Sequence, residues 1–208
     1  MSFDPRAVDM IMRLRSRGVS DAASLRAVEL VPRKAFVLLE HHDRAYDELA
    51  LPIACGQALL SPLETAMLVQ LLGTTAEDKA LVVGSGSGWL AAILSRQCKR
   101  VYAVERYTGL IASAEASLAS LGIHNVKFRH GDGRYGWPGQ APFSRIVLAC
   151  GVRAVPGKVM EQLAPNGRLV AVVDGTLTVF DKARKHVTER EVMPMSLPMI
   201  EQGKSRTL

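Results

Sequence analysis

Val82-Val83-Gly84-Ser85-Gly86-Ser87-Gly88-Trp89 is the stretch whose reading decides the fold. It continues a short apolar run, 80–83, and leads into a second, 90–94. A strand-length apolar run, a turn of alternating glycines and a helical start make one strand–turn–helix unit. Glycine has no Cβ, so the turn can bend sharply and lie close against a ligand. The helix start beyond it offers free N–H groups to a ligand's polar end.

Outward from this unit, apolar runs recur at 101–104, 126–128, 146–149 and 169–173. The intervals between the five runs contain or permit helices, notably 90–94 and the alanine-rich 110–121. Continuous apolar strands alternating with helices predict a mostly parallel sheet covered on both faces. After Asp174-Gly175, runs at 176–180 and 186–193 predict a closing antiparallel hairpin or edge pair. Upstream, Ser61-Pro62-Leu63-Glu64 is a capping box with proline at the first helical position, followed by Met67, Leu68, Leu71 and Leu72 and stopped at Gly73. Asp4-Pro5 predicts a helix carrying Val8, Ile11, Met12 and Leu14, stopped at Arg17-Gly18. Ser20 or Asp21 starts another through Leu25, Val28 and Leu30, ending near Pro32. Residues 33–60 read as irregular, punctuated by Pro52 and Gly56. Loops of that length in compact domains usually work on a ligand.

Composition narrows the class. The chain has 208 residues, 48% of them hydrophobic and 22% charged, which suits one globular domain with a real core. No apolar run approaches the roughly 20 residues that span a bilayer. Met1-Ser2-Phe3-Asp4-Pro5 lacks the basic region and apolar stretch of a secretory signal, so a cytoplasmic location is expected, with no membrane partner. Cys55, Cys98 and Cys150 show neither metal-ligand nor disulfide spacing, and the five histidines form no HExxH, so no metal site is expected. The net charge of +6 favours anionic partners. The basic residues are nevertheless scattered, with one small cluster at Lys182-Ala183-Arg184-Lys185-His186 and few interleaved aromatics, so no specific nucleic-acid partner is expected.

The chemistry lies at the ends of the predicted strands. The turn is spaced G-x-G-x-G, whereas the dinucleotide fingerprint G-x-G-x-x-G sets its third glycine one residue later, an argument against NAD. Glu105 ends the second predicted strand, about 20 residues beyond the turn, where a carboxylate can accept both ribose hydroxyls. That position serves NAD and S-adenosylmethionine alike. Gly131-Asp132-Gly133 follows the third strand, where an aspartate can receive an adenine amino group beside a glycine that leaves room for the ring. Singly, these are a glycine-rich turn, a solvated strand end and a turn former. Together they occupy the carboxyl edge of one sheet, where ligands of open α/β folds bind.

The turn and the two acids also stand within a longer ordered series. It begins with Val31-Pro32-Arg33-Lys34-Ala35-Phe36-Val37, Ala45-Tyr46, Leu51-Pro52-Ile53, Gly56-Gln57 and Ser61-Pro62. After the turn come Val104-Glu105-Arg106, Leu121-Gly122, Asn125-Val126, Gly131-Asp132-Gly133, Gly136-Trp137-Pro138 and Ala141-Pro142-Phe143. It closes with Gln162-Leu163-Ala164-Pro165-Asn166-Gly167-Arg168-Leu169-Val170. In this series the chain resembles the protein-L-isoaspartate O-methyltransferase family nearly end to end. The resemblance implies a Rossmann-like class I S-adenosylmethionine-dependent methyltransferase fold: a mostly parallel doubly wound sheet with N-terminal helices and a rearrangement at its last strands. One domain over 1–208 is expected, with a helical entry and substrate-side loop at 1–60 and a cofactor-binding sheet at 61–208. The cofactor would be S-adenosyl-L-methionine, held by Gln57, Leu60, Gly84, Ser85, Gly86, Ser87, Gly88, Glu105, Arg106, Asp132 and Gly133. The implied reaction methylates the carboxylate of isoaspartyl residues in damaged proteins or peptides; the oligomeric state is not read from the sequence, and a monomer is the default expectation.

The sequence departs from the family at four places. The segment Gly-x-Gln-Thr-Ile-Ser-x-Pro is here Gly56-Gln57-Ala58-Leu59-Leu60-Ser61-Pro62, which puts Leu60 where the family has its active-site serine. Ser61 is the neighbouring hydroxyl and a candidate catalytic residue, although the capping box gives it a structural task. Val82 replaces an acid two residues before the turn, Ser144 replaces an aspartate, and Cys150-Gly151 replaces an alanine pair. Two expectations stay open: a methyltransferase acting on a protein or peptide carboxylate, or a catalytically silent relative that binds the cofactor as a sensor or interaction module. An NAD-dependent oxidoreductase is disfavoured by the turn's spacing and by the lack of a hydride-transfer constellation.

Overall fold

A computed structural model describes residues 4–184 and 186–205. Lys185 of the basic cluster and the first three residues lie outside the described residues. Two amphipathic helices open the chain, α1 (Pro5–Ser16) capped by Asp4 and α2 (Ala22–Glu29) capped by Asp21. Each aspartate side chain accepts a backbone N–H of the first turn. Their buried stripes centre on Met10, Leu14, Leu25 and Val28, whereas Met12 and Leu30, expected to be inward, are exposed.

The stretch expected to be irregular is more ordered than its sequence suggests. It holds two 3-10 turns, Arg33–Phe36 and Leu39–Arg44, then a small antiparallel hairpin of β1 (Leu51–Ile53) and β2 (Gln57–Leu59) joined by a third 3-10 turn, Ala54–Gly56. What organises it is a buried cation. The Arg33 guanidinium donates to the carbonyls of Ala45 at 2.8 Å, Leu49 at 2.9 Å and Leu60 at 2.9 Å, and lies over the Trp89 ring. Fully buried, it satisfies carbonyls that no strand or helix would otherwise pair.

Next comes α3 (Pro62–Leu72), with Ser61 as N-cap and left-handed Gly73 at its end. Seven strands form the main sheet: β3 (Lys79–Val83), β4 (Arg100–Glu105), β5 (Val126–His130), β6 (Phe143–Val152), β7 (Leu163–Val173), β8 (Thr176–Ala183) and β9 (His186–Pro194). Their spatial order is β5-β4-β3-β6-β7-β8-β9. The first five pair in parallel, and β8 and β9 close the sheet antiparallel, as the final two apolar runs predicted.

Alternate strand residues face two different cores. Ala80 and Val82 join the helix-covered side with α4 (Trp89–Ser95) and α5 (Thr108–Ser120), while Leu81 and Val83 join the other with Phe143, Ile146 and Leu169. Coverage of that second face is thinner than expected. The β5–β6 interval carries only 3-10 turns, Gly133–Tyr135 and Pro138–Gln140, and the β6–β7 interval only the short α6 (Gly157–Met160). Strand β5 is likewise not buried throughout, because it is the sheet's edge. The chain runs outward from β3 in one direction through β4 and β5 and then returns to β6 on the other side. This reversal opens a crevice at the carboxyl ends of β3 and β6.

Candidate cofactor and substrate site

The crevice is a cavity of about 100 Å³. Val83, Gly84 and Gly86 line it from β3 and its turn, Glu105 and Arg106 from β4, and Ala149 and Cys150 from β6. Gly133 comes from the loop after β5, and Gln57, Ala58 and Leu60 from the hairpin side. Of the residues expected to hold a cofactor, Gln57, Leu60, Gly84, Gly86, Glu105, Arg106 and Gly133 therefore meet in one place.

Gly84, Gly86 and Gly88 all adopt positive φ, of +78°, +54° and +94°, which L side chains rarely take. Gly88 stands apart in purpose. A Cβ there would lie 2.8 Å from the Ala114 Cβ, so this glycine lets the turn pack on α5, and it does not line the cavity. Ser85 and Ser87 are buried with hydroxyl oxygens that meet no hydrogen-bond partner among the described residues. Ser85 faces a smaller cavity of about 30 Å³ beside the first, and Ser87 a separate hollow bounded by Phe36, Ile53 and Ser117.

Glu105 ties β4 to the glycine turn. One carboxylate oxygen accepts the Gly86 N–H at 2.9 Å, and the other accepts those of Arg106 at 2.7 Å and Tyr107 at 3.2 Å. Burial pushes its pKa up, and the three backbone donors oppose that rise. Oxygens so anchored still have lone pairs for further donors.

Asp132 is differently engaged. It accepts the Arg134 backbone N–H, a two-point contact from the Arg134 guanidinium and the Gly203 N–H at 2.8 Å. Burial alone would raise its pKa, but these donors hold it at about 2. It borders the outer surface of the loop rather than the main cavity.

Ser61 accepts the Glu64 N–H at 3.3 Å, and the Glu64 carboxylate accepts the Ser61 N–H at 2.7 Å, a reciprocal cap. Its neighbour Leu60 lines both cavities, and Ser61 lines neither. Val82 is fully buried and Ser144 bonds the Lys79 backbone, joining β6 to β3. The Cys150 thiol is pushed up to about 12 by burial, which makes it an inert lining group.

The sequence reading missed the C-terminal strap. Pro198, Met199, Ile200 and Glu201 line the main cavity from above. Gly151 donates to the Pro198 carbonyl at 2.8 Å and accepts the Ile200 N–H at 2.9 Å, while Arg106 forms an ion pair with Glu201. Ser205 N–H then donates to the Arg106 carbonyl at 3.1 Å. Only Gly151 carried a local signal, as one of the departures. A Cβ there would meet the Leu197 carbonyl at 2.8 Å and the Met199 sulfur at 3.0 Å. Arg33 was quoted for its motif but not for its burial, which depends on partners 12 to 27 residues away.

Comparison with known proteins matches the chain to a family. The profile described as protein-L-isoaspartate(D-aspartate) O-methyltransferase (PCMT) matches residues 6–200. A Maricaulis maris protein-L-isoaspartate O-methyltransferase is 40% identical over 99% of this chain and 98% of its own. One from Rhodospirillum rubrum is 44% identical over 83% of this chain and 80% of its own. A solved protein-L-isoaspartate O-methyltransferase superposes with a TM-score of 0.83 at 24% identity, over 94% of this chain and 66% of that one. This superposition supports the class I fold expected from the sequence.

Proposed function

The chain belongs to the protein-L-isoaspartate(D-aspartate) O-methyltransferase family, and from that membership we propose that it methylates the carboxylate of isoaspartyl residues in damaged proteins or peptides, using S-adenosylmethionine. The observation that carries the reading is the meeting of the glycine turn, Glu105 and Gly133 at one cavity, in a chain alike to these relatives over nearly its whole length.

The cavity's residues fit the cofactor. Glu105 is a buried carboxylate at a strand end with acceptor capacity to spare, suited to ribose hydroxyls. Gly133 leaves no room for a side chain, since a Cβ would lie 2.6 Å from Val83 Cγ1, so the backbone itself forms the wall where a ring would lie. Arg106 and Gln57 border the opening, and Leu60 and Ala149 give it an apolar wall. When bound, S-adenosylmethionine supplies an electrophilic methyl group.

The protein's own part is to hold and desolvate. A substrate carboxylate is ionised near pH 7 and needs no general base. Apolar walls around the reacting centre strip water from it and fix the approach. The proposed substrate is a protein or peptide, and the same reading takes the chain as a cytoplasmic monomer of one domain without a nucleic-acid or membrane partner. No described helix is long and apolar enough to cross a membrane.

The test is methyl transfer to an isoaspartyl peptide and its matched aspartyl peptide. Turnover confined to the isoaspartyl peptide is expected. Tight binding of S-adenosylhomocysteine without turnover of either peptide would favour the silent-binder alternative, for which the hydroxyl-free Ala58 and Leu60 are the motivating observation.

A further inference from the structure

Four cations that stand apart in the sequence, Lys79, Arg100, Lys127 and Arg129, come together on one face of the main sheet. Lys79 opposes Arg100 across β3 and β4, while Tyr102 opposes Lys127 and Val104 opposes Arg129 across β4 and β5. Tyr102 and Val104 belong to the second core, so all four cations emerge on that face, where the β5–β6 interval supplies only 3-10 turns as cover. Arg100, Lys127 and Arg129 are exposed and Lys79 is half-buried. Among the described residues no ion pair engages any of the four. The acids closest to them in the chain are committed elsewhere: Glu77 to Lys99, Asp78 to Arg145 and Asp132 to Arg134. Neighbouring strands lie about 4.8 Å apart and alternate residues about 6.6 Å apart, so like charges at these spacings repel and build a local positive field. At its β5 end the stripe runs into a hollow of about 450 Å³, where Arg129 is joined by Arg134 and the exposed Lys204. Asp132 lines that hollow, and the next residue, Gly133, lines the main cavity.

We propose that this basic face docks an acidic segment of a polypeptide, and that the polypeptide is the substrate of the proposed function, on which this choice of occupant rests. Charge complementarity sets the sign of the partner. The aromatic rings then separate a carboxylate-bearing chain from a nucleic acid, whose bases need free ring faces to stack on. Tyr102 and Phe143 are buried, with the Lys79 ammonium 5.2 Å and 5.3 Å from their centroids. Trp137 carries the Arg129 guanidinium at 5.8 Å, and Tyr135 carries that of Arg134 at 5.8 Å. An extended peptide, by contrast, sets alternate side chains about 6.6 Å apart, the spacing of Lys127 and Arg129 along β5. A segment held at Arg129 and Lys204 lies beside the loop whose Gly133 walls the cavity.

Fluorescence anisotropy with a labelled glutamate-rich peptide that contains no isoaspartate reads the docking apart from methyl transfer. Wild type should bind it with an affinity that falls as salt rises, and the triple variant Arg100→Glu, Lys127→Glu, Arg129→Glu should bind about tenfold more weakly. The milder triple change to Gln should give an intermediate loss, with a urea midpoint near wild type showing that the sheet is intact. Methylation connects the face to the cavity. An isoaspartyl peptide extended by glutamates should have a kcat/KM about threefold to tenfold above one extended by glutamines. The charge-reversed variant should lose that advantage and keep the wild-type kcat/KM on the glutamine-extended peptide. A wild type that does not bind the glutamate-rich peptide, or binding that neither triple variant alters, overturns the docking face. A single-stranded oligonucleotide of equal charge that binds more tightly than the peptide overturns the choice of partner. Binding that answers to the variants without any glutamate advantage in methylation overturns the link to substrate. Absence of turnover on both peptides with binding intact overturns the proposed function, and the substrate as occupant with it, while the binding itself supports the face.

Discussion

At the scale of single residues, Glu105 and Asp132 have the same chemistry and different circumstances. Glu105 sits inside the cavity with its oxygens anchored by backbone donors, so Glu105→Ala should weaken S-adenosylhomocysteine binding by about 1–3 kcal/mol in calorimetry. Unchanged affinity in a folded variant would remove it from the site. Asp132 acts through others, holding Arg134 and the Gly203 amide. Its pKa of about 2 lies below the ordinary 3.8, so its contribution to stability is present above pH 3.8 and is lost as the pH falls toward 2. Asp132→Asn should flatten the acid limb of the stability curve over that window, as followed by the urea midpoint against pH. A variant whose acid limb matches wild type would mean the carboxylate contributes nothing there. Val82 shows what sequence alone could not weigh. It is fully buried within the helix-covered core, so a charge placed there meets desolvation before it meets a ligand.

At the scale of elements, the capping box at α3 was legible because its bonds span three residues, and both are made. Ser61→Ala should reduce stability by about 0.5–2 kcal/mol in chemical denaturation and leave the KM for peptide near wild type. A fall in kcat without loss of stability would instead return Ser61 to the substrate site. The hairpin that carries Leu59 and Leu60 was not legible. Its strands are three residues each, and its order derives from Arg33, whose carbonyl partners are scattered from Ala45 to Leu60. Removing the guanidinium leaves several buried carbonyls unpaired, each worth about 1–3 kcal/mol. Arg33→Met should therefore lower stability by several kcal/mol and speed hydrogen exchange in residues 45–60. Unaltered exchange there would show that the hairpin holds itself.

At the scale of the whole molecule, the C-terminal strap joins β6, β4 and the loop after β5 across the cavity mouth. Its seat on β6 depends on the missing side chain at Gly151. Gly151→Ala should force the strap outward at a penalty of about 1–3 kcal/mol, seen as faster amide exchange at Ile200, Gly203 and Ser205 with the sheet core unaffected. Protection equal to wild type would show that the strap can shift to admit a methyl group. The amino-acid sequence by itself determined the order of strands and helices, the parallel sheet with its antiparallel close, the capped α3 and the turn at its centre. Each of these is written in neighbours a few residues apart, where period, capping and glycine spacing act. Tertiary structure alone decided that Arg33 orders the entry loop, that Gly88 serves packing, that Asp132 is held by the strap, and that Ser85 faces a cavity with no hydrogen-bond partner among the described residues. Those outcomes turn on burial and on contacts between segments far apart in the chain, which local pattern does not encode.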